Sequence, residues 1–223
     1  MPLPVHRLGA KDPLPLASLY LVEHRGVLSL IDTGTRGTGA RVLRAIARFG
    51  RKPEDLRQIV ISHAHGDHAG DAKALRDATG ARIVAGAEDA PVLTGDAPYP
   101  YPGLGMKPLY GHLARFERFQ PDVLISERTE LDGGLVVIPA PGHTNGHIAV
   151  WAPDLQALFT ADAVWHLGRL TGSWKAFTQN PEANVDTVRR LADEPAEQLF
   201  FGHGRAVRRG GRDRLRKLAK TLA

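Results

Sequence analysis

Ser62-His63-Ala64-His65-Gly66-Asp67-His68-Ala69-Gly70 places three imidazoles and one carboxylate within six residues, from His63 to His68. An apolar run of strand length, Gln58–Ser62, leads into it, and a helical pattern from about Asp67 to Thr79 leads out. His63 and His65 lie two apart on chain leaving a strand, so both rings can point the same way. Ala64 and Gly66 let the backbone turn tightly between them, and Asp67 and His68 open the helix. Unpaired polar groups are expensive to bury, so packing alone is a poor reason for such a cluster. Four metal-capable side chains converging at the end of one strand is the better one.

Three more segments share that character, a short apolar strand running into a polar side chain. Val136-Val-Ile-Pro-Ala-Pro-Gly142 ends at His143, Ala157-Leu-Phe-Thr-Ala161 at Asp162, and Gln198-Leu-Phe-Phe-Gly202 at His203. Each would deliver its side chain to the same edge of a sheet, where sites of layered α/β folds tend to lie. Together with the first cluster they make seven N and O donors, a set that suits zinc, iron or manganese. There are no cysteines, which excludes disulfide frameworks, thiolate metal sites and cysteine nucleophiles.

The remaining chain alternates strand and helix signals. Ser18–His24 and Val27–Asp32, joined by Arg25-Gly26, form the pattern of a β-hairpin. Gly39–Phe49 has its apolar residues at helical spacing, and Gly50 stops it. Arg82–Ala85, Val123–Ile125, Leu135–Pro139, Ile148–Ala152, Ala157–Thr160 and Gln198–Phe201 are strand-like, while Pro181–Ala192 and the stretch from about Gly211 are helical. Strands grouped with flanking helices, twice over, predict a layered α/β sandwich. The 223 residues suit a single domain over 1–223. Residues 94–120 interrupt it with Pro98, Pro100, Pro102 and Pro108 before the helical stretch Leu109–Phe119. This excursion, with Tyr99 and Tyr101, is expected to cap the site and line a substrate pocket.

The composition is that of an ordinary folded protein, with 43% hydrophobic and 24% charged residues. The formal charge of +5 is concentrated at the end: Arg205 to Ala223 hold eight Lys or Arg against Asp213 alone. That predicts a solvated basic face more than a nucleic-acid surface. No signal-peptide pattern opens the chain and no apolar run reaches membrane-spanning length, so a cytoplasmic protein with no membrane partner is expected. His112 and His166 stand isolated, although His166, four residues beyond Asp162, could reach substrate. His147 is expected to be a hydrogen-bonded structural residue.

His63-Ala-His65-Gly-Asp67-His68 matches in full the H-x-H-x-D-H signature of the metallo-β-lactamase-fold superfamily, and the chain resembles a member of it. The downstream His143, Asp162 and His203 stand in the family's order, and Leu30-Ile31-Asp32-Thr33-Gly34 resembles its early strand-end Asp motif. The resemblance implies a four-layer αββα sandwich with two divalent metal ions, zinc above all, with iron or manganese as alternatives. It implies His63, His65 and His143 on the first metal, Asp67, His68 and His203 on the second, and Asp162 bridging them. Asp32 would order the metal-binding loops from behind. The implied chemistry is hydrolysis of an ester, thioester or lactone of a small molecule by a metal-bridging hydroxide, with Asp67 and Asp162 as its catalytic carboxylates. Asp162 stands where the family's true β-lactamases usually carry Cys or Ser. Trp165 stands where lactonase relatives often have tyrosine, at the expected pocket beside His166. Two other chemistries of the fold remain open: a persulfide dioxygenase holding one iron at His63, His143 and Asp162, and a ribonuclease Z-like phosphodiesterase.

Overall fold

The computed structural model describes residues 5–8, 17–99 and 116–222. Tyr101 and His112, and most of the expected helix Leu109–Phe119, lie outside them. The first sheet runs in sequential order, from β1 (Val5–Leu8), β2 (Leu19–His24) and β3 (Val27–Ile31) to β4 (Leu56–Ile61), β5 (Arg82–Gly86) and β6 (Val123–Ile125). β1 to β3 pair antiparallel and β3 to β6 parallel. The β2–β3 hairpin turns on Arg25 and Gly26, both at positive φ (48° and 78°), the backbone a tight two-residue turn requires.

The second sheet contains β7 (Thr129–Glu130), β8 (Val136–Pro139), β9 (Ile148–Ala152) and β10 (Ala157–Ala161). A small separate hairpin, β11 (Val164–His166) and β12 (Leu170–Gly172), comes next, and β13 (Gln198–Phe201) then returns to pair parallel with β10. The helices are α1 (Gly39–Arg48), α2 (Gly66–Ala69), α3 (Ala72–Thr79), α4 (Ala90–Thr94), α5 (Pro181–Leu191) and α6 (Gly211–Ala219). The single helix expected over 67–79 is thus two. A Cβ on Gly70 would lie 2.4 Å from the Gly34 carbonyl oxygen, and Asp71 turns its carboxylate to the N–H groups of Gly37 and Gly39. The chain bends there to dock the loop after β3.

Alternation along each strand sorts the apolar residues into three cores. Leu21, Ile59, Ile61 and Ile83 face outward to Val42 and Ile46 of α1 and Leu75 of α3. Tyr20, Val22, Val60 and Val84 face inward and meet Ile148, Val150, Phe159 and Phe200 of the second sheet. Leu158, Leu199 and Phe201 face the other way, onto Val188 and Leu191 of α5 and Leu215 and Leu218 of α6. Period-two alternation on both sheets and helical stripes outside them give four layers, helix–sheet–sheet–helix. Each fully buried Leu, Ile or Phe contributes roughly 1.5–3 kcal/mol, so the middle core holds the sheets face to face. The Tyr20 hydroxyl adds a polar tie, donating to the Phe201 carbonyl at 2.7 Å.

This topology decides where strand ends fall. β10 and β13 are parallel, so Asp162 and His203 leave the sheet at one edge. β9 runs antiparallel to β10, which brings the segment before it, His143 to His147, to that edge. The Ile148 N–H donates to the Ser62 carbonyl at 2.8 Å, fastening the end of β4 and the residues that follow it to the same place.

Candidate metal centre

All seven donors anticipated from the strand ends meet at this edge, and all but Asp67 are buried. His63 Nε2 lies 2.9 Å from His65 Nδ1, which is 3.0 Å from His143 Nε2. These three nitrogens form one potential ligand group, and Asp67, His68 and His203 form another. Asp162 sits between them. Its Oδ2 is 3.5 Å from His143 Nε2 and 3.3 Å from His203 Nε2, while its Oδ1 is 3.5 Å from His68 Nε2. His68 Nε2 and Asp162 Oδ1 are both buried without a hydrogen-bond partner. Buried polar atoms are rarely left so, and a cation between this nitrogen and this oxygen would satisfy both.

Partners behind the donors aim them. Asp32, at positive φ (59°), accepts from the Ser62 N–H and hydroxyl, both at 2.8 Å, and from His68 Nδ1 at 2.7 Å. With the Nδ1 proton held by Asp32, Nε2 is the nitrogen left to face the site. Thr33 clamps the His68 carbonyl with its N–H and its hydroxyl. His143 Nδ1 lies 2.8 Å from the Ser173 hydroxyl, which sets its other nitrogen inward. His147 is the structural residue expected: its Nε2 accepts from the Asp162 backbone N–H at 3.2 Å. Gly202 must be glycine, because a Cβ there would lie 1.9 Å from Asp162 Oδ1.

Asp89 does for the first trio what Asp32 does for the second, and the sequence did not single it out. Its carboxylate accepts from the Ala64 N–H (2.7 Å), the Thr144 hydroxyl (2.7 Å) and the Gly146 N–H (2.8 Å). It thereby ties the loop carrying His63 and His65 to the loop carrying His143. Asp89 follows β5 by three residues, a lone carboxylate whose partners lie 25, 55 and 57 positions away; no local pattern marks it.

The two trios differ electrostatically. Burial, with neighbouring imidazoles adding, pushes His63 and His143 well below the ordinary histidine range, and burial takes His65 down to about 4. Burial also opposes charge on His68 and His203, yet Asp32, Asp162 and Asp67 raise His68 to about 9, and Asp162 and Asp67 raise His203 to about 11. Asp67 and Asp162 are disfavoured as anions by burial but held well below the usual carboxylate range by the histidines facing them. One trio is three neutral nitrogen donors; the other stores protons that an entering cation must displace.

An aromatic wall flanks the donors. The Trp165 ring lies 4.9 Å from His203 and 6.5 Å from His143, with Trp174 at 5.0 Å and Phe177 at 5.9 Å behind it. Tyr99 lies 5.4 Å from His65. His166 is not brought to the site: alternation along β11 turns it to the opposite side, where its Nδ1 meets the Arg205 carbonyl at 2.5 Å. Trp174 and Phe177 were not anticipated.

A family model described as the metallo-beta-lactamase superfamily matches residues 14–203. The chain belongs to that superfamily. It is 30% identical over 199 residues to the uncharacterized protein YobT of Bacillus subtilis (strain 168), covering 85% of this chain and 83% of that one. It is 33% identical over 199 residues to a hydroxyacylglutathione hydrolase of Cereibacter sphaeroides (strain ATCC 17029), covering 86% of this chain and 67% of the relative. Among solved structures, TTHA1623 in a di-iron-bound form matches with a TM-score of 0.70 and 26% identity, over 90% of this chain and 92% of that one. Its likeness to hydroxyacylglutathione hydrolases makes the chain a hydrolase, and its His and Asp clusters fit the divalent metal use of the fold. Among the described residues no helix is long and apolar enough to cross a membrane.

Proposed function

We propose that the chain hydrolyses an ester or thioester bond of a small molecule at a centre of two divalent metal ions. His63, His65 and His143 would hold the first ion, Asp67, His68 and His203 the second, and Asp162 both. The observation that carries this is the Asp162 carboxylate, which offers one oxygen toward His143 and His203 and the other toward His68. The relatives named hydroxyacylglutathione hydrolase favour a thioester, and the di-iron form of TTHA1623 supports two ions and keeps iron beside zinc as the metal. When bound, such a pair of ions supplies a water activated at neutral pH and Lewis-acid polarisation of the scissile carbonyl.

The chain's residues perform the rest. Asp32 and Ser173 hold the imidazoles of His68 and His143 with their inward nitrogens fixed, so the donor geometry is set before substrate arrives. Asp67, the most exposed of the seven, is held as an anion by His203 and His68 and is placed to accept the proton given up by the attacking water and return it to the leaving oxygen or sulfur. Trp165, Trp174, Phe177 and Tyr99 give the approach an apolar wall that excludes water. The Trp165 indole N–H, buried without an acceptor, is available to a substrate oxygen.

The test is metal quantification on the purified chain, followed by thioester, ester, lactone and phosphodiester substrates. Two ions and thioester or ester turnover support the proposal. One iron with oxygen consumption would point instead to persulfide dioxygenase chemistry, and phosphodiester turnover alone to a nuclease.

A further inference from the structure

The basic C-terminal segment is not wholly a solvated face. Leu215 and Leu218 of α6 are buried, and the neighbouring face of the helix walls a cleft of about 540 Å³ against the β11–β12 hairpin. His166, Arg169 and Leu170 line one side, and Arg214, Lys217 and Leu218 the other. Residues 214, 217 and 218 fall on one helical face, so the two cations point at the hairpin together. Among the described residues that line the cleft none is a carboxylate. Arg25, Arg57 and Arg128 on the surface each sit against a carboxylate; among the described residues, Arg169, Arg214 and Lys217 have no such partner.

We propose that this cleft binds a small molecule through a phosphoryl group. Three exposed side-chain cations with no carboxylate partner among the described residues match a phosphate dianion better than a monoanionic carboxylate, and guanidinium groups fit its oxygens bidentately. The cleft is within the size range of small-molecule sites and larger than a bare phosphate needs. Leu170 and Leu218 offer apolar contact to the rest of the ligand. His166 completes the lining: a carbonyl can only accept, so its Nδ1 donates to Arg205, and Nε2 is left as an acceptor suited to a hydroxyl or amino group of the ligand, not to its phosphoryl oxygens.

The cleft is separate from the metal centre but adjoins it. Trp165 and His166 are successive residues on opposite sides of β11. The His166 N–H donates to the His203 carbonyl at 3.1 Å, and the Arg205 N–H to the His166 carbonyl at 3.2 Å. The site does not rest on the hydrolytic reading and can be tested apart from it.

The experiment is calorimetric titration of the full metal-loaded chain with AMP and with inorganic phosphate. Saturable binding is expected, weakened about tenfold or more in R214S/K217S, both positions being exposed, and within about twofold of the parent in the off-cleft control R209S/R216S. Binding should survive chelation of the metals, because a phosphate at the metal centre would be lost on chelation and kept in R214S/K217S. A single-stranded oligonucleotide separates the remaining source of phosphoryl groups. If it binds more tightly than AMP, with steep salt dependence and equal loss in both double variants, the surface is a diffuse nucleic-acid face and the proposal fails. It fails equally if AMP and phosphate do not saturate, if R214S/K217S binds as the parent does, or if chelation abolishes binding.

Discussion

The two candidate trios lie side by side with Asp162 between them, yet their electrostatics run in opposite directions. His63, His65 and His143 are neutral because burial makes charge costly, and Asp89 holds their two loops together from behind. Asp67, His68 and His203 form a network of carboxylates and imidazoles in which each group favours the other's charge, and Asp32 aims its central histidine. A cation entering the first trio displaces little. One entering the second must release the protons of His68 and His203. On the proposed reading, the difference predicts that binding at the second group depends more strongly on pH than binding at the first.

Removing the group the trios share should have the largest effect. Asp162→Ala is expected to lower hydrolysis by roughly 10³-fold or more, as when one member of a unit is lost, and to cut metal content measured by mass spectrometry. Normal activity with full metal loading would sink the bridging role.

Next, Asp32→Asn and Asp89→Asn should separate the trios. An amide at position 32 can present N–H groups to His68 Nδ1, favouring the tautomer whose proton sits on Nε2 and blocks the second site. Second-ion affinity should fall about 10- to 100-fold, with the first ion retained. Asp89→Asn turns a donor toward Ala64, Thr144 or Gly146, and should weaken the first ion and cost about 1–3 kcal/mol of stability. Loss of the same ion in both variants would erase the distinction.

The pH dependence follows from the second trio. His68 and His203 are raised above the unfolded value of 6.5, to about 9 and about 11. Their contribution to the stability of the chelated protein is therefore present in full below pH 6.5 and lost as pH rises through those values. Chemical denaturation of the chelated chain should show falling stability from pH 7 to pH 10. The metal-loaded chain, whose ligands must be deprotonated, should bind its second ion more tightly over the same range. The smallest effect is expected for Ser173→Ala, a few-fold loss of first-ion affinity, because a hydroxyl holds the His143 tautomer less firmly than a carboxylate.

The seven candidate donors were legible in the sequence because four short apolar strands run into them, His143, Asp162 and His203 directly and His63 to His68 through the turn into α2, and strand pairing brings those ends to one edge. The four layers were legible in the grouping of strands and helices. What was hidden depends on contacts distant in sequence. Asp89 reads as one acidic residue among many until the two loops close on it, helped by Gly86 and Gly146, whose backbones pack so closely that a Cβ on Gly86 would lie 1.8 Å from the Gly146 carbonyl oxygen. The break at Gly70-Asp71 exists only because the loop after β3 docks there. Trp174 and Phe177 join the wall through the β12–α5 connection, and His166 left it because β11 is a strand whose successive side chains part.

The claim on which the rest depends is that Asp162 joins two metal ions. Titration of the chelated chain with Zn²⁺ or Fe²⁺, followed by calorimetry and metal analysis at pH 7, tests it directly. Two ions per chain are expected, the second binding with proton release, and the second lost on Asp162→Ala. A single ion per chain in the parent, with unchanged stoichiometry in Asp162→Ala, would contradict it.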